Sequence, residues 1–409
     1  MDRRLMARPD PIELGLRQYD LDVRRKVVIP DLVRRKIAKV VASPLAFLRG
    51  SAPLFYDMLA EHPELAEGPA ESGHLCGDAH VENFGVYRTA HSKSKGAPVD
   101  PDLAAFVFDV NDFDETIVGP WRFDVLRLLA SLVLAGREFS ASGTQIIGLA
   151  RTLLGAYVGT AFGAQGIPSP PPPVARLVGK AEKRSAKDIL DRRTQVVGNT
   201  RRFILGDRYL AFPANLEADA RAAFATYVQS AGDDLPKDHC DIVDLAFRVA
   251  GTGSLGTLRV AVLARGKGGI EGGWLFDMKE ESAAAATPVC AAGEADGATR
   301  VLAGMRACLE WPPRMLGKTS LQGTSMLVRR LAPQEDKLDL TRMTKEELSG
   351  VAAFLGALLG RAHRRGATSA GTTPWSAAEL DAMIDRAVTV AGVHEAAYLA
   401  YCKALLSSG

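Results

Sequence analysis

The chain has 409 residues, 47% hydrophobic and 24% charged, which excludes disorder as the dominant state and suggests about two or three structural units. Fifty Lys and Arg against 48 Asp and Glu leave a formal charge of +2. That is too small for a global field toward nucleic acid or an acidic membrane, so neither is expected as a partner. No apolar run reaches about 18 residues and the start MDRRLMARPDPIELG lacks an apolar core, so no membrane span or secretory signal is expected and the cytoplasm is. The five cysteines (Cys76, Cys240, Cys290, Cys308, Cys402) are scattered without a CxxC. They read as small buried or half-buried thiols, not as a disulfide framework or a zinc site.

The first 65 residues read as helices, with Ser43 as an N-cap before PLAFLRGSAPLFYDMLAEHP. HLCGDAHVENFG follows as a loop between short extended segments, and AAFVFDV at 104–110 suits a buried strand. From Phe123, FDVLRLLASLVLAGREF carries a helical apolar stripe. Pro168, Pro170, Pro171, Pro172 and Pro173 predict a stiff connector, and 175–235 reads as charged and mostly helical. At about residue 240 the composition changes: 241–281 reads strand, Gly-rich turn, strand, Gly-rich turn, strand. A helix is expected around 293–309, then a strand at SMLVRRLAP, then helices, the first opened by a Thr344–Glu347 capping box. The expectation is an α+β chain with two lobes, divided as 1–70, 71–240, 241–335 and 336–409.

Three clusters could carry chemistry. In Gly77-Asp78-Ala79-His80-Val81-Glu82-Asn83, a carboxylate and an amide five residues apart can face one point, one taking a hydroxyl proton and the other holding a hard cation. Ordinary turn chemistry explains the same residues. In Asp109-Val110-Asn111-Asp112-Phe113-Asp114-Glu115, four acids directly after an apolar strand repel one another unless a metal or basic groups offset them. A solvated loop is the alternative. In Gly251-Thr252-Gly253-Ser254-Leu255-Gly256, the glycines lead into TLRVAVLA, a strand pattern, which disfavours a dinucleotide fold and favours a Gly-rich hairpin over phosphates or a merely flexible one. Lys279, ending the strand pattern FDMK, has the charge to neutralise phosphates.

LCGDAHVENFG, FDVNDFDE and GPWRFDVLRLLAS together resemble the kinase-like phosphotransferases, in particular aminoglycoside and choline kinase relatives. The order differs, because the Gly-rich loop and Lys strand come last, so the chain resembles a circular permutant of the two-lobed protein-kinase-like fold. At finer grain SPLAFLRGSA, GDAHVENFG, FDVNDFDET, GPWRFDVLRLLAS, the GTGSLG region, FDMKE and LVRRL resemble an uncharacterised bacterial family, domain of unknown function 2252.

The resemblance implies an ATP- and Mg²⁺-dependent phosphotransferase acting on an unidentified hydroxyl acceptor, with a small molecule slightly favoured. In that reading Asp78 is the base or substrate-orienting carboxylate, and Asn83 and Asp112 hold Mg²⁺ with Asp114 assisting. Gly251, Gly253, Ser254 and Gly256 cover the phosphates, and Lys279 contacts phosphate oxygens. Asp124 anchors the catalytic loop and His80 is structural. Cys76 stands where relatives carry His, Glu294 and Glu310 are candidate partners of Lys279, and Arg49, Arg329 and Arg330 read as surface arginines in preference to ligands of an anionic substrate. AMP transfer and an inactive scaffold acting through protein partners are the alternatives, and apolar patches on the C-terminal helices allow a homodimer.

Overall fold

The computed structural model describes residues 9–25, 27–92, 104–231, 235, 237–253, 255–331, 338–369, 371 and 373–408. Asp10 opens α1 (Pro11–Val23) by accepting from the Ile12 and Glu13 N–H groups. After α2 (Asp31–Val40), Ser43 caps α3 (Pro44–Gly50) through the Ala46 N–H, as the sequence predicts. Then come α4 (Ala52–Glu61) and α5 (Pro63–Ala66). Four strands follow: β1 (Ser72–Leu75), β2 (Phe84–Ser92), β3 (Ala104–Val110) and β4 (Ile117–Pro120). Strands β2 and β3 form an antiparallel ribbon with Phe84 opposite Val110, while β1 pairs with β4.

The buried helices α6 (Arg122–Glu138) and α7 (Gly143–Ala161) come next. The proline connector is shorter than its sequence suggests: α8 (Pro172–Glu182) starts inside the proline run, because a residue without an N–H is accommodated in the first helical turn. The mostly helical expectation for 175–235 also needs correction. Between α9 (Ala186–Arg193) and α10 (Ala214–Ser230) lie the hairpin β5 (Thr194–Val197) and β6 (Thr200–Phe203), then β7 (Tyr209–Ala211). They are only three or four residues long, too short to show a period, and Val196 and Val197 are about half exposed.

Strands β8 (Ile242–Arg248), β9 (Arg259–Ala264) and β10 (Trp274–Glu280) realise the predicted strand–turn–strand–turn–strand. Helix α11 (Gly297–Cys308) precedes β11 (Gly317–Leu321) and β12 (Thr324–Arg330). Helix α12 (Lys345–Arg365) begins at the Thr344–Glu347 capping box, and β13 (Ala367–Ser369) and α13 (Ala377–Ser408) end the described chain.

Strands β11-β12-β10-β9-β8-β7 make a six-stranded antiparallel sheet, whereas β1 lies between β13 and β4. The chain is thus mixed helix and sheet, consistent with the α+β expectation. One core joins α3, α4, α6, α7, α12 and α13. A second buries the other sheet face under α10, with Phe224 and Tyr227 of α10 against Phe276. The five cysteines are free thiols, all buried except the partly exposed Cys402. Among the described residues no helix is long and apolar enough to cross a membrane.

Candidate functional site

Side chains alternate along a strand, so in β10 the buried Phe276 and Met278 enter the core under α10 while Leu275, Asp277 and Lys279 face the other way. That second face forms one wall of a cleft of about 300 Å³, whose opposite wall is the β2–β3 ribbon and the loop Asn111–Asp114. Lys279 is 6% exposed. Its ammonium meets the Asp114 carboxylate directly and lies 3.5 Å from Glu281 Oε1. Burial pushes the Glu281 carboxyl up to about 7 against the opposing pull of Lys279, and the nearby Asp112 pushes it the same way as burial.

The loop Cys76–Asn83 is fixed from behind. Asp124, in the first turn of α6 and fully buried, accepts from the Cys76 N–H (2.7 Å) and the Gly77 N–H (3.0 Å), with His363 Nε2 at 3.1 Å. This is the anchoring role expected of Asp124. Gly77 has φ +83°, and a Cβ there would lie 1.8 Å from the Glu115 carbonyl oxygen, so the two acidic loops approach as closely as only glycine permits.

Asn83 ties them together. Its Nδ2 donates to the carbonyls of Asp78 (3.0 Å) and Asp112 (3.1 Å), which leaves the buried Oδ1 without a hydrogen-bond partner. A buried amide oxygen left unsatisfied costs on the order of 1–3 kcal/mol, and a hard cation would satisfy it. Asp78 Oδ1 receives the Arg127 guanidinium, with Nε at 2.6 Å. Burial pushes the Asp78 carboxyl up to about 6, Arg127 opposes this, and Asp112 adds to it. His80 Nε2 lies 3.9 Å from Asp78, and Arg49 pairs with Glu82 at 2.9 Å.

Lys279, Asp112, Asp114 and Gly251 therefore line one cavity, with Asn83 joined to Asp112 and Asp78 directly behind. Gly253 and Gly256 turn toward the N-terminal segment instead. Arg25 donates to the Gly253 carbonyl at 2.6 Å and Lys39 to the Gly251 carbonyl at 2.9 Å, while Gly256 lies against Val27. Ser254 lies outside the described residues. Neither Glu294 nor Glu310 partners Lys279: Glu294 is exposed, and Glu310 lies 3.4 Å from Arg361. Arg329, opposite Asp277, faces the cleft, whereas its neighbour Arg330 turns to the other face of the sheet, its guanidinium 4.5 Å from the centre of the Trp274 ring.

Sequence reasoning missed Arg127, Glu281 and Asp277. Arg127 had a signal, since it follows Asp124 by three positions on one helix face. Asp277 had one too, since a strand places it on the face of Lys279. Among the described residues no group of three or more His, Cys, Asp or Glu side chains is placed to hold a metal ion. The donor set that fits Mg²⁺ is Asn83 Oδ1 with one or two carboxylates, completed by ligand phosphates.

Residues 25–165 and 169–404 match the model of a family described as uncharacterized protein conserved in bacteria, domain of unknown function 2252. Searches of curated proteins and of solved structures give no match.

Proposed function

The chain belongs to that bacterial family, and from the geometry of its cleft we propose that it is a kinase-like phosphotransferase in permuted order, using ATP and Mg²⁺ on a hydroxyl acceptor. The observation that carries this reading is the meeting of Lys279, on a sheet strand, with the loop holding Asp112 and Asp114, from the other end of the sequence. The connectivity supports the permutation. Helix α12 runs into β13, β13 pairs with β1, and the His74 N–H donates to the Gly366 carbonyl. The helix that precedes the catalytic loop in ordinary kinases thus ends beside that loop here, joined through space.

Asn83 and Asp112 would hold Mg²⁺, which supplies neutralisation of phosphate charge. Lys279 exchanges Asp114 for a phosphate oxygen, and the Gly251 turn borders the same cavity. Asp78 orients the acceptor hydroxyl and takes its proton; a carboxyl raised to about 6 is a better base near neutral pH than an unperturbed one. Arg127 fixes its direction. Catalysis in this scheme is positioning and charge compensation.

The test is nucleotide turnover by the wild-type chain and Asp112→Asn in the presence of Mg²⁺. ADP release that Asp112→Asn abolishes, with an unchanged circular dichroism spectrum, is the expected result. Pyrophosphate release with AMP retained on the acceptor would replace phosphoryl transfer by nucleotidyl transfer, and turnover unaffected by the substitution would overturn the site.

A further inference from the structure

The N-terminal segment grips the Gly-rich turn after β8. Arg25, two residues beyond α1, donates through Nη1 to the Gly253 carbonyl at 2.6 Å. Lys39, in the last turn of α2, donates to the Gly251 carbonyl at 2.9 Å. Gly256, with φ +97°, lies so close to the same segment that a Cβ would meet the Val27 side chain at 2.6 Å.

The segment that does this is itself fixed at both ends. Leu32 of α2 belongs to the core under the six-stranded sheet, and Val40, eight residues on, belongs to the helical core. Between them the buried Lys36 pairs with Asp22 of α1 at 2.5 Å, and Asp22 also accepts from the Tyr401 hydroxyl of α13 at 3.1 Å. Separating that pair would strand a buried charge, so α1, α2 and α13 stay together.

Glycine loses more backbone freedom on ordering than any other residue, so a loop with glycine at 251, 253 and 256 needs outside contacts to hold one shape. Both cations end on backbone carbonyls of that loop, which is where such contacts restrain it most directly. A hydrogen bond from a cation is strong, and it polarises the peptide it holds, so the N–H at the other end becomes a better donor. In a trans peptide that N–H is antiparallel to the carbonyl, so the bond from Lys39 to the Gly251 carbonyl directs the Thr252 N–H away from Lys39. Gly251 itself lines the cleft.

We propose that Arg25 and Lys39 are positioning residues that clamp the Gly-rich loop in the shape that receives phosphate, with the Thr252 N–H held out to a phosphate oxygen at the Gly251 edge of the cleft. The clamp comes from the N-terminal helices, not from the sheet that carries the loop. Its ligand rests on the phosphotransferase reading; its hold on the loop is present without one.

The experiment is hydrogen exchange on the full chain, read at peptides covering 251–256, beside calorimetric titration of ATP with Mg²⁺. Arg25→Gln should speed loop exchange about tenfold, leave α12 unchanged and weaken ATP about tenfold, the worth of one strong hydrogen bond. Lys39→Gln, whose donor is the more exposed, should do less in the same direction. Arg25→Lys keeps the charge and should recover part of both losses. Unchanged loop exchange in natively folded Arg25→Gln overturns the clamp, and so does unchanged ATP affinity despite faster exchange. Exchange that quickens throughout the chain overturns the positioning role in favour of general stabilisation. Wild-type protein that binds no ATP, with loop exchange still quickened by Arg25→Gln, keeps the clamp and removes the phosphotransferase reading.

Discussion

Replacing Asn83 by alanine tests the junction between the two acidic loops. Asn83 is 2% exposed, and its Nδ2 makes two hydrogen bonds, at 3.0 and 3.1 Å, to the carbonyls of Asp78 and Asp112. Each neutral hydrogen bond contributes about 1 kcal/mol net, and a buried carbonyl left without its donor costs about as much again or more. Losing both bonds and stranding two carbonyls costs about 3–4 kcal/mol, and removing the unsatisfied Oδ1 returns at least about 1, so Asn83→Ala should destabilise the metal-free chain by about 2 kcal/mol, measured by urea unfolding. Asn83→Asp loses the same two donors and sets a carboxylate against two carbonyl oxygens, so its metal-free loss should be at least as large. The two variants diverge when Mg²⁺ and ATP are added: a carboxylate at position 83 can hold the cation and should recover stability, whereas alanine cannot. A loss below about 1 kcal/mol in Asn83→Ala would refute the two-bond accounting. Equal responses of the two variants to Mg²⁺ and ATP would refute the cation-holding role.

Three further outcomes follow from the same geometry. Gly77→Ala should destabilise by more than about 3 kcal/mol and lower turnover, because positive φ disfavours a side chain and the new Cβ meets the Glu115 carbonyl at 1.8 Å; near-wild-type unfolding would contradict this. Asp124→Asn should cost about 3 kcal/mol and speed hydrogen exchange at the Cys76 and Gly77 amides, since an amide cannot accept all three donors now on the carboxylate. His394, fully buried beside Phe47 and Phe55, is pushed down to about 3 by burial, with Arg127 acting in the same direction. Between that value and its ordinary 6.5 the unfolded chain binds the extra proton, so its contribution is present above pH 6.5 and fades as pH falls. Denaturation across pH should show His394→Phe relieved of a slope of about 1.4 kcal/mol per pH unit in that window; parallel pH profiles would contradict the assignment.

What the sequence revealed was local. Ser43 and the Thr344–Glu347 box cap the helices they were expected to cap, because a capping bond spans only three residues. The strands at 104–110 and at Phe276–Lys279 follow from β-branched and aromatic runs. Strands β5 to β7 escaped because three or four residues are too few to display alternation, and β7 pairs with β8 only across the whole of α10. The clefts's acidic loops and its lysine were each visible, but their meeting was not, since β10 reaches Asp114 only through tertiary packing. The pairing of Asp277 with Arg248, Arg259 and Arg329 was hidden for the same reason: these are neighbours across strands, not along one.

The most direct measurement is calorimetric titration of ATP into the wild-type chain, Lys279→Ala and Asp112→Ala, each with and without Mg²⁺. Two segments far apart in sequence, acting on one ligand, should give wild-type binding that requires Mg²⁺ and that either substitution abolishes. Folded wild-type protein that binds no ATP, or binding indifferent to both substitutions, would contradict the account.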